Sequence, residues 1–377
     1  MKRVTVTPRA DWRARVESVG LAFHTGSASY WNESACYEFT LAQIETIECA
    51  TNELHALCLA AVEHVIRNHR FAELAIPEAA VPLIRESWTN DQPSVYGRFD
   101  LSYDGKGEPK LLEYNADTPT SLLEAAVVQW YWLQDVSPYL DQFNSIHERL
   151  IATWSGLRRF LPPLVHFTAV DDIEDGLTVT YLRETAEQAG IRTVGLPIGS
   201  VGWNGEQFVG EEHETIRALF KLYPWEWLVQ EPFGPHISKS GIPFIEPAWK
   251  MVLSNKGILP ILWDLNEGHP NLLESYREPT AEMRSWGYTR KPLLSREGAN
   301  VRIHGGELGT TIESSGDYGA EGYIYQRTAP LPCFGGNYAV IGSWVIGGEA
   351  VGIGIRESDG PITTNQSRFV PHRLGEW

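Results

Sequence analysis

From Leu41 the apolar positions Leu41, Ile44, Ile47, Leu54, Leu57, Ala61 and Val65 recur every three or four residues. That is the period of an amphipathic helix packed on a core. Thr40 stands where a hydroxyl can accept a free backbone N–H, and the pattern fades at Asn68-His69. Period two follows. SVYGRFDLSY and KLLEYNAD flank the turn DGKGEP, in which Asp104-Gly105 and Gly107 supply the positive φ a hairpin needs. Residues 121–134 read as helical. Residues 163–207 read as strand, helix, strand: LVHFTAV, LTVTYLRETAEQAG ending at Gly190, and RTVGLPI. This is βαβ grammar. A strand-like PFIEP leads into WKMVLSNKGILPILW. GYIYQRTAPLP and NYAVIGSWVIGGEAVGIGIR make the late part β-rich, with Gly347-Gly348 as a hairpin turn. Without repeats or a low-complexity linker, the pattern predicts one compact, multi-lobed α+β unit containing α/β lobes.

Composition narrows this picture. A length of 377 residues suggests two or three lobes, at roughly 150 residues each. Apolar residues make up 43% and charged residues 21%, which excludes a disordered or collagen-like chain. The net charge of −17 opposes binding to phosphate backbones, so no nucleic-acid partner is expected. Cys36, Cys49, Cys58 and Cys333 form no CxxC or zinc-like spacing and are expected to be buried, reduced thiols. The N-terminal MKRVTVTPRADW lacks the apolar core of a signal peptide, and no stretch is long and apolar enough to span a membrane. A cytoplasmic chain without a membrane partner is expected.

Candidate chemistry concentrates in a few places. Arg98 and Asp100 are two apart on one strand, as are Glu113 and Asn115 on its partner, so each pair shares a face. If the register brings those faces together, two carboxylates and an amide oxygen converge in an all-oxygen set suited to magnesium. Arg98 beside them could hold a phosphate or carboxylate. The alternative is a solvated, salt-bridged hairpin face. Lys250, Lys256 and Lys291 sit in apolar or glycine-containing surroundings where backbone N–H groups can approach phosphate oxygens. Taken one at a time, a lysine in such a setting is more often a surface charge than a ligand contact. There is no Walker A or GxGxxG motif. GYIYQRTAPLP, a strand ending in prolines, could form a hinge that reads a base edge, and Arg356 after the late hairpin could neutralise developing charge. No GxSxG, HExxH or cysteine-hydrolase signature occurs.

The segments YWNESACYEF, GRFDLSYDGKGEPKLLEYNADTPTS, FIEPAWKMVLSNKGILPILW, KPLLSREGANV and GYIYQ, in this order, resemble the synthetase domain of glutathionylspermidine synthase and its stand-alone acid–amine ligase relatives. The resemblance runs from residue 11 to residue 377 as a single unit. It implies an ATP-grasp fold with nucleotide between lobes, and a ligase that joins a carboxylic acid or peptide to an amine through an acyl phosphate. Arg98 and Arg356 would stand at the reacting phosphoryl group, and Asp100, Glu113 and Asn115 would ligate magnesium. Lys256 and Lys291 would hold the ATP phosphates, Ser295, Arg296, Glu297 and Gly298 would belong to a lid, and Tyr325 and Gln326 to the adenine hinge. Thr120 and Ser121 replace the family's Ser-Cys pair near its thiol peptide, which leaves the acid open. Glu174 and Asp175 stand at the family's acidic pair near the polyamine, though they could simply begin a helix, stabilised by its dipole. The family's amidase domain has no counterpart, so amide hydrolysis is not expected. A catalytically inactive nucleotide-binding module of the same fold is the alternative, and a purely structural protein would leave the polar constellation unexplained.

Overall fold

A computed structural model describes residues 1–26, 29–305 and 309–375. The few remaining positions of the 11–377 unit lie outside the described residues. Among those described, the strands form a mixed α/β architecture of several sheets. The long helix runs Leu41–Arg67, one residue after its predicted cap. Thr40 accepts the Gln43 N–H and the Gln43 side chain returns to the Thr40 N–H, a reciprocal capping box. Its buried stripe of Ile44, Ile47, Leu54, Cys58, Ala61 and Val65 joins the larger of two apolar cores.

The predicted hairpin forms from strands Tyr96–Ser102 and Lys110–Asn115, with Gly105 and Gly107 at positive φ. It belongs to a six-stranded antiparallel sheet, where Tyr96–Ser102 also pairs with Asn337–Ile346 of the late hairpin. Gly347 and Gly348, at φ 60° and 90°, make the late turn tight enough to keep that register. Alternation sends Phe99 and Tyr114 into the core, stacked at 3.8 Å between ring centroids, and leaves Arg98, Asp100, Glu113 and Asn115 on the opposite face.

The βαβ unit forms as strand Leu164–Ala169, helix Ile173–Gln188 and strand Arg192–Pro197. Its helix starts earlier than the apolar pattern indicates, because Asp172 caps it by accepting the N–H groups of Glu174 and Asp175. These strands join Leu219–Leu222 and Phe244–Ile245 in a four-stranded parallel sheet. A five-stranded antiparallel sheet carries Tyr288–Pro292 and Tyr323–Arg327 at its centre. The predicted 121–134 helix is a π-turn, Glu124–Val128, running into Gln129–Val136. WKMVLSNKGILPILW breaks into two helices, Lys250–Leu253 and Ile258–Leu265, at the SNKG loop. The cysteines are all free, but only Cys36 and Cys58 are buried. Cys49 and Cys333 are exposed, against expectation, because each lies on the outward side of its element. No helix among the described residues is long and apolar enough to cross a membrane.

Candidate active site

The parallel sheet, the first hairpin, the late hairpin and the SNKG loop meet around a cleft of about 510 Å³. Val170 and Asp172 follow one parallel strand and Pro224 follows another, so the cleft opens at the carboxyl ends of the strands. Crevices of open parallel sheets lie there because connecting loops leave the sheet at that edge.

The hairpin register sets Arg98 opposite Asn115 and Asp100 opposite Glu113, and all four line this cleft. Arg98 and Asp100 are buried, so the solvated-face alternative does not hold for them. Arg98 donates to both Asp100 oxygens, at 2.7 and 3.2 Å, and to the Thr120 carbonyl at 2.7 Å. Gly342 makes room for the arginine stem, since a Cβ there would lie 2.8 Å from Arg98 Cδ. Lys256 reaches Glu113 at 3.1 Å and the Ser295 carbonyl at 2.9 Å. Burial opposes ionisation of the Glu113 carboxyl, but Lys256, Lys291 and Arg98 outweigh it and hold its pKa down at about 2.

Lys291 faces a smaller adjoining cavity of about 170 Å³. Asp100, Glu113, Gly298 and Thr363 line both cavities and thus divide them. The strand register slips after Asp100, a bulge that spares the Leu112 carbonyl to accept from Lys291 Nζ at 2.7 Å. Lys291 also donates to Gln326 at 2.7 Å. Burial lowers the Lys291 pKa to about 8, with Glu113 acting against that shift. Much of the smaller cavity is apolar, walled by Leu112, Val301, Ile303, Leu331 and Val340.

Gln326 lines this cavity but Tyr325 does not. The Tyr325 ring turns to the other face of the strand and meets the Tyr288 ring edge-on at 5.4 Å. Tyr325 also pairs with Arg290 on one side and Tyr276 on the other, so its backbone is engaged by sheet neighbours. Thr328, Ala329, Pro330 and Leu331 line the cavity instead, just past the strand end. The prolines of TAPLP were the available signal for this displacement.

Ser295, Arg296, Glu297 and Gly298 all line the main cleft. The left-handed conformations of Glu297, Gly298 and Asn300 turn this loop over. Gly298 abuts the 359–367 loop so closely that a Cβ would lie 2.2 Å from the Thr363 carbonyl. Arg296 donates to Thr118 at 2.5 Å and lies over the Trp227 ring. Arg356 lines the cleft and donates to the Thr364 carbonyl, while its buried Nε has no hydrogen-bond partner among the described residues. The buried Ser295 hydroxyl likewise lacks one. Unpaired buried donors are costly, which suits them to receive an anion.

The wall from the parallel sheet is acidic. Glu174 and Asp175 begin a capped helix and also line the cleft, so the two sequence readings are compatible. Burial raises the Asp175 pKa to about 6; Arg296 opposes this and Glu174 adds to it. Asp172 and Glu226 extend the wall and were not singled out from the sequence. Thr120 lines the cleft. Ser121 is turned away and meets the Tyr30 hydroxyl at 3.1 Å. That hydroxyl also donates to Glu124 at 2.6 Å, whose carboxyl is pushed up to about 7 by burial and then by Glu174.

Two buried ion pairs brace the cleft. Asp117 pairs with Lys221 and accepts the Trp225 N–H at 2.9 Å, tying the first hairpin to the parallel sheet. Lys250, a candidate phosphate contact in the sequence, instead pairs with Glu246 at 2.6 Å and donates to the Tyr96 carbonyl, and it lines neither cavity. Among the described residues no three His, Cys, Asp or Glu side chains gather as a metal centre. The candidate set of two carboxylates and one amide is of another kind. Its all-oxygen chemistry fits magnesium, which keeps several waters or phosphate oxygens of its own.

The family model for the glutathionylspermidine synthase preATP-grasp matches residues 3–375. A Haemophilus influenzae protein named "Putative acid--amine ligase" is 43% identical, with 99% of each chain covered. Trypanothione synthetase of Crithidia fasciculata is 30% identical over 85% of this chain and 54% of its own length. The bifunctional glutathionylspermidine synthetase/amidase of Escherichia coli is 25% identical over 96% of this chain and 63% of its own. The chain therefore spans between half and two thirds of the length of the latter two proteins and almost all of the first. With the cleft, these matches define the class as ATP-dependent carbon–nitrogen ligases. Within it, the chain belongs to the glutathionylspermidine synthase family.

Proposed function

We propose that residues 11–377 form one ATP-grasp unit that joins a carboxylic acid or peptide to an amine, in the cytoplasm, with release of ADP and phosphate. The observation that carries this reading is the convergence of Asp100, Glu113 and Asn115 with Arg98, Lys256 and Arg356 in one cleft, and with Lys291 just across their wall. A carboxylate is a poor electrophile, so ATP must first convert it to an acyl phosphate. That step needs positioned charge and no protein nucleophile.

The apolar smaller cavity would take the adenine, with Gln326 and the 328–331 segment at its edge. Lys291 and Lys256 would meet the phosphates on either side of the dividing wall. Asp100, Glu113 and Asn115 would hold magnesium, which when bound neutralises phosphate charge. Arg98 and Arg356 would stabilise charge on the transferred phosphoryl group. The Ser295–Gly298 loop would exclude water, which otherwise hydrolyses the acyl phosphate. Thr120 lies near Arg98, where the acid would be held. Glu174 and Asp175 would hold a distal ammonium while a neutral amine attacks.

The test supplies the chain with ATP, magnesium and a panel of acids, using hydroxylamine as a small amine and scoring hydroxamate together with phosphate. Coupled formation of both is expected for at least one acid. ATP binding with no hydroxamate or phosphate across the panel would refute the ligase reading and leave an inactive nucleotide-binding module. Once an acid is found, an amine panel identifies the second substrate.

A further inference from the structure

A separate cavity of about 690 Å³ lies along the helix Ile173–Gln188, whose first turn also walls the cleft, and beside the π-turn Glu124–Val128. The π-turn Glu124–Val128 aims Glu124 at Tyr30 but presents Ala126 and Val127 to this cavity. The helix Ile173–Gln188 carries Glu174 and Asp175 in its first turn and lends Glu184 from its last turns to this cavity.

The lining has a distinct chemistry. Trp130 and Tyr131, 39% and 54% exposed, are large aromatics left in contact with water. Glu148 and Glu184 add two carboxylates, and among the described residues no lysine or arginine lines the cavity; His147 does, with its ring nitrogens engaged by the Tyr181 hydroxyl at 2.9 Å and by Gln188 at 3.3 Å. Both carboxylates act on the buried Tyr181 hydroxyl, which burial and then their charges push well up. Asn144 spends its amide N–H groups on the Ala126 carbonyl and Gln142, while its buried Oδ1 has no donor among the described residues. Aromatic faces attract cations, carboxylates pair with ammonium groups, and a spare amide oxygen accepts from one. The volume lies in the range of small-molecule sites, roughly 300–1,000 Å³.

We propose that this cavity binds an aliphatic amine carrying at least two ammonium groups, at a site separate from the catalytic cleft. The apolar stem would lie on Trp130 and Tyr131, with the charged ends at Glu148, Glu184 and Asn144.

The test measures spermidine binding to the full chain by equilibrium dialysis at low salt, without ATP or acid, so its outcome is independent of turnover. The Glu174→Gln/Asp175→Asn/Asp172→Asn/Glu226→Gln background neutralises the acidic wall of the cleft. On that background about one spermidine per chain is expected to remain bound. Adding Glu148→Gln/Glu184→Gln, or Trp130→Ala, should weaken it about ten-fold or more. Glu211→Gln/Glu212→Gln, which removes two exposed charges elsewhere, should not. Hexylamine, with a single charge, should bind more weakly than spermidine. Thermal unfolding checks that every variant is folded. The proposal is overturned by loss of all binding on the background, by unchanged affinity after Glu148→Gln/Glu184→Gln, by equal weakening in the Glu211/Glu212 control, or by hexylamine binding as tightly.

Discussion

The Glu113→Gln substitution separates the two parts Glu113 plays in the proposed reaction. In the structure its carboxylate pairs with Lys256 at 3.1 Å and shares the field of Lys291 and Arg98, with a pKa of about 2 in place of 4.5. After the opposing effect of burial, the cations leave the ionised form favoured by a net of about 3 kcal/mol. A depressed carboxylate pKa gives stability that is present above 4.5 and is lost as pH falls toward 2. Glutamine forfeits it at neutral pH, so the unfolding free energy should drop by up to about 3 kcal/mol. The effect on ATP has the opposite sign when metal is absent. Without the carboxylate, Lys256 is free, and a negative charge near the phosphates is gone. At about 5 Å and an effective dielectric of about 20, one unit charge contributes about 3 kcal/mol, less with screening. Metal-free ATP should therefore bind about ten-fold or more tightly to Glu113→Gln than to the parent. With magnesium the order should reverse, because one of three proposed ligands has lost its charge. Isothermal titration with and without magnesium reads both effects. Metal-free affinity no better than the parent's, together with an intact magnesium enhancement, would refute the assignment of Glu113 to both the lysine and the metal.

Three further outcomes follow from the geometry. Gly342→Ala places a methyl group 2.8 Å from Arg98 Cδ, so turnover should fall while ATP affinity changes little. Overpacking of this kind costs about 1–3 kcal/mol, and unchanged kcat would mean that Arg98 needs no fixed seat. The Glu124 carboxyl, raised to about 7, is taken up protonated on folding. Stability should thus decline as pH rises from about 4.5 to 7, by about 3 kcal/mol. Glu124→Gln should flatten that part of a Tm–pH profile, and an unaltered slope would assign it to other groups. Lys221→Met leaves the Asp117 charge buried without its partner. It should cost about 3–5 kcal/mol in denaturant unfolding. Asp117→Asn added to it should restore part of that loss, and strict additivity of the two substitutions would show that the pair does not interact.

Local patterns in the sequence decided a good deal. The Leu41–Arg67 helix and its cap, the two glycine-turned hairpins and the βαβ unit all depend on residues close in sequence, where periodicity, capping and positive φ act directly. The sharing of a face by Arg98 with Asp100, and by Glu113 with Asn115, was fixed in the same way. The ordered motifs also carried the family, which the matches bear out across nearly the whole chain. Tertiary structure alone decided what depends on partners distant in sequence. Lys250 and Lys256 stand in similar local contexts, yet one is consumed by Glu246 in the core and the other reaches Glu113 in the cleft. Tyr325 and Gln326 are neighbours on one strand, and only the sheet around them determines which faces the cavity. Asp117 gave no sign of Lys221, 104 positions away. The acidic wall and the aromatic cavity behind it likewise assemble from several segments. The strength of a charge in such places is set by burial and by the other charges packed against it, and neither is written in local spacing.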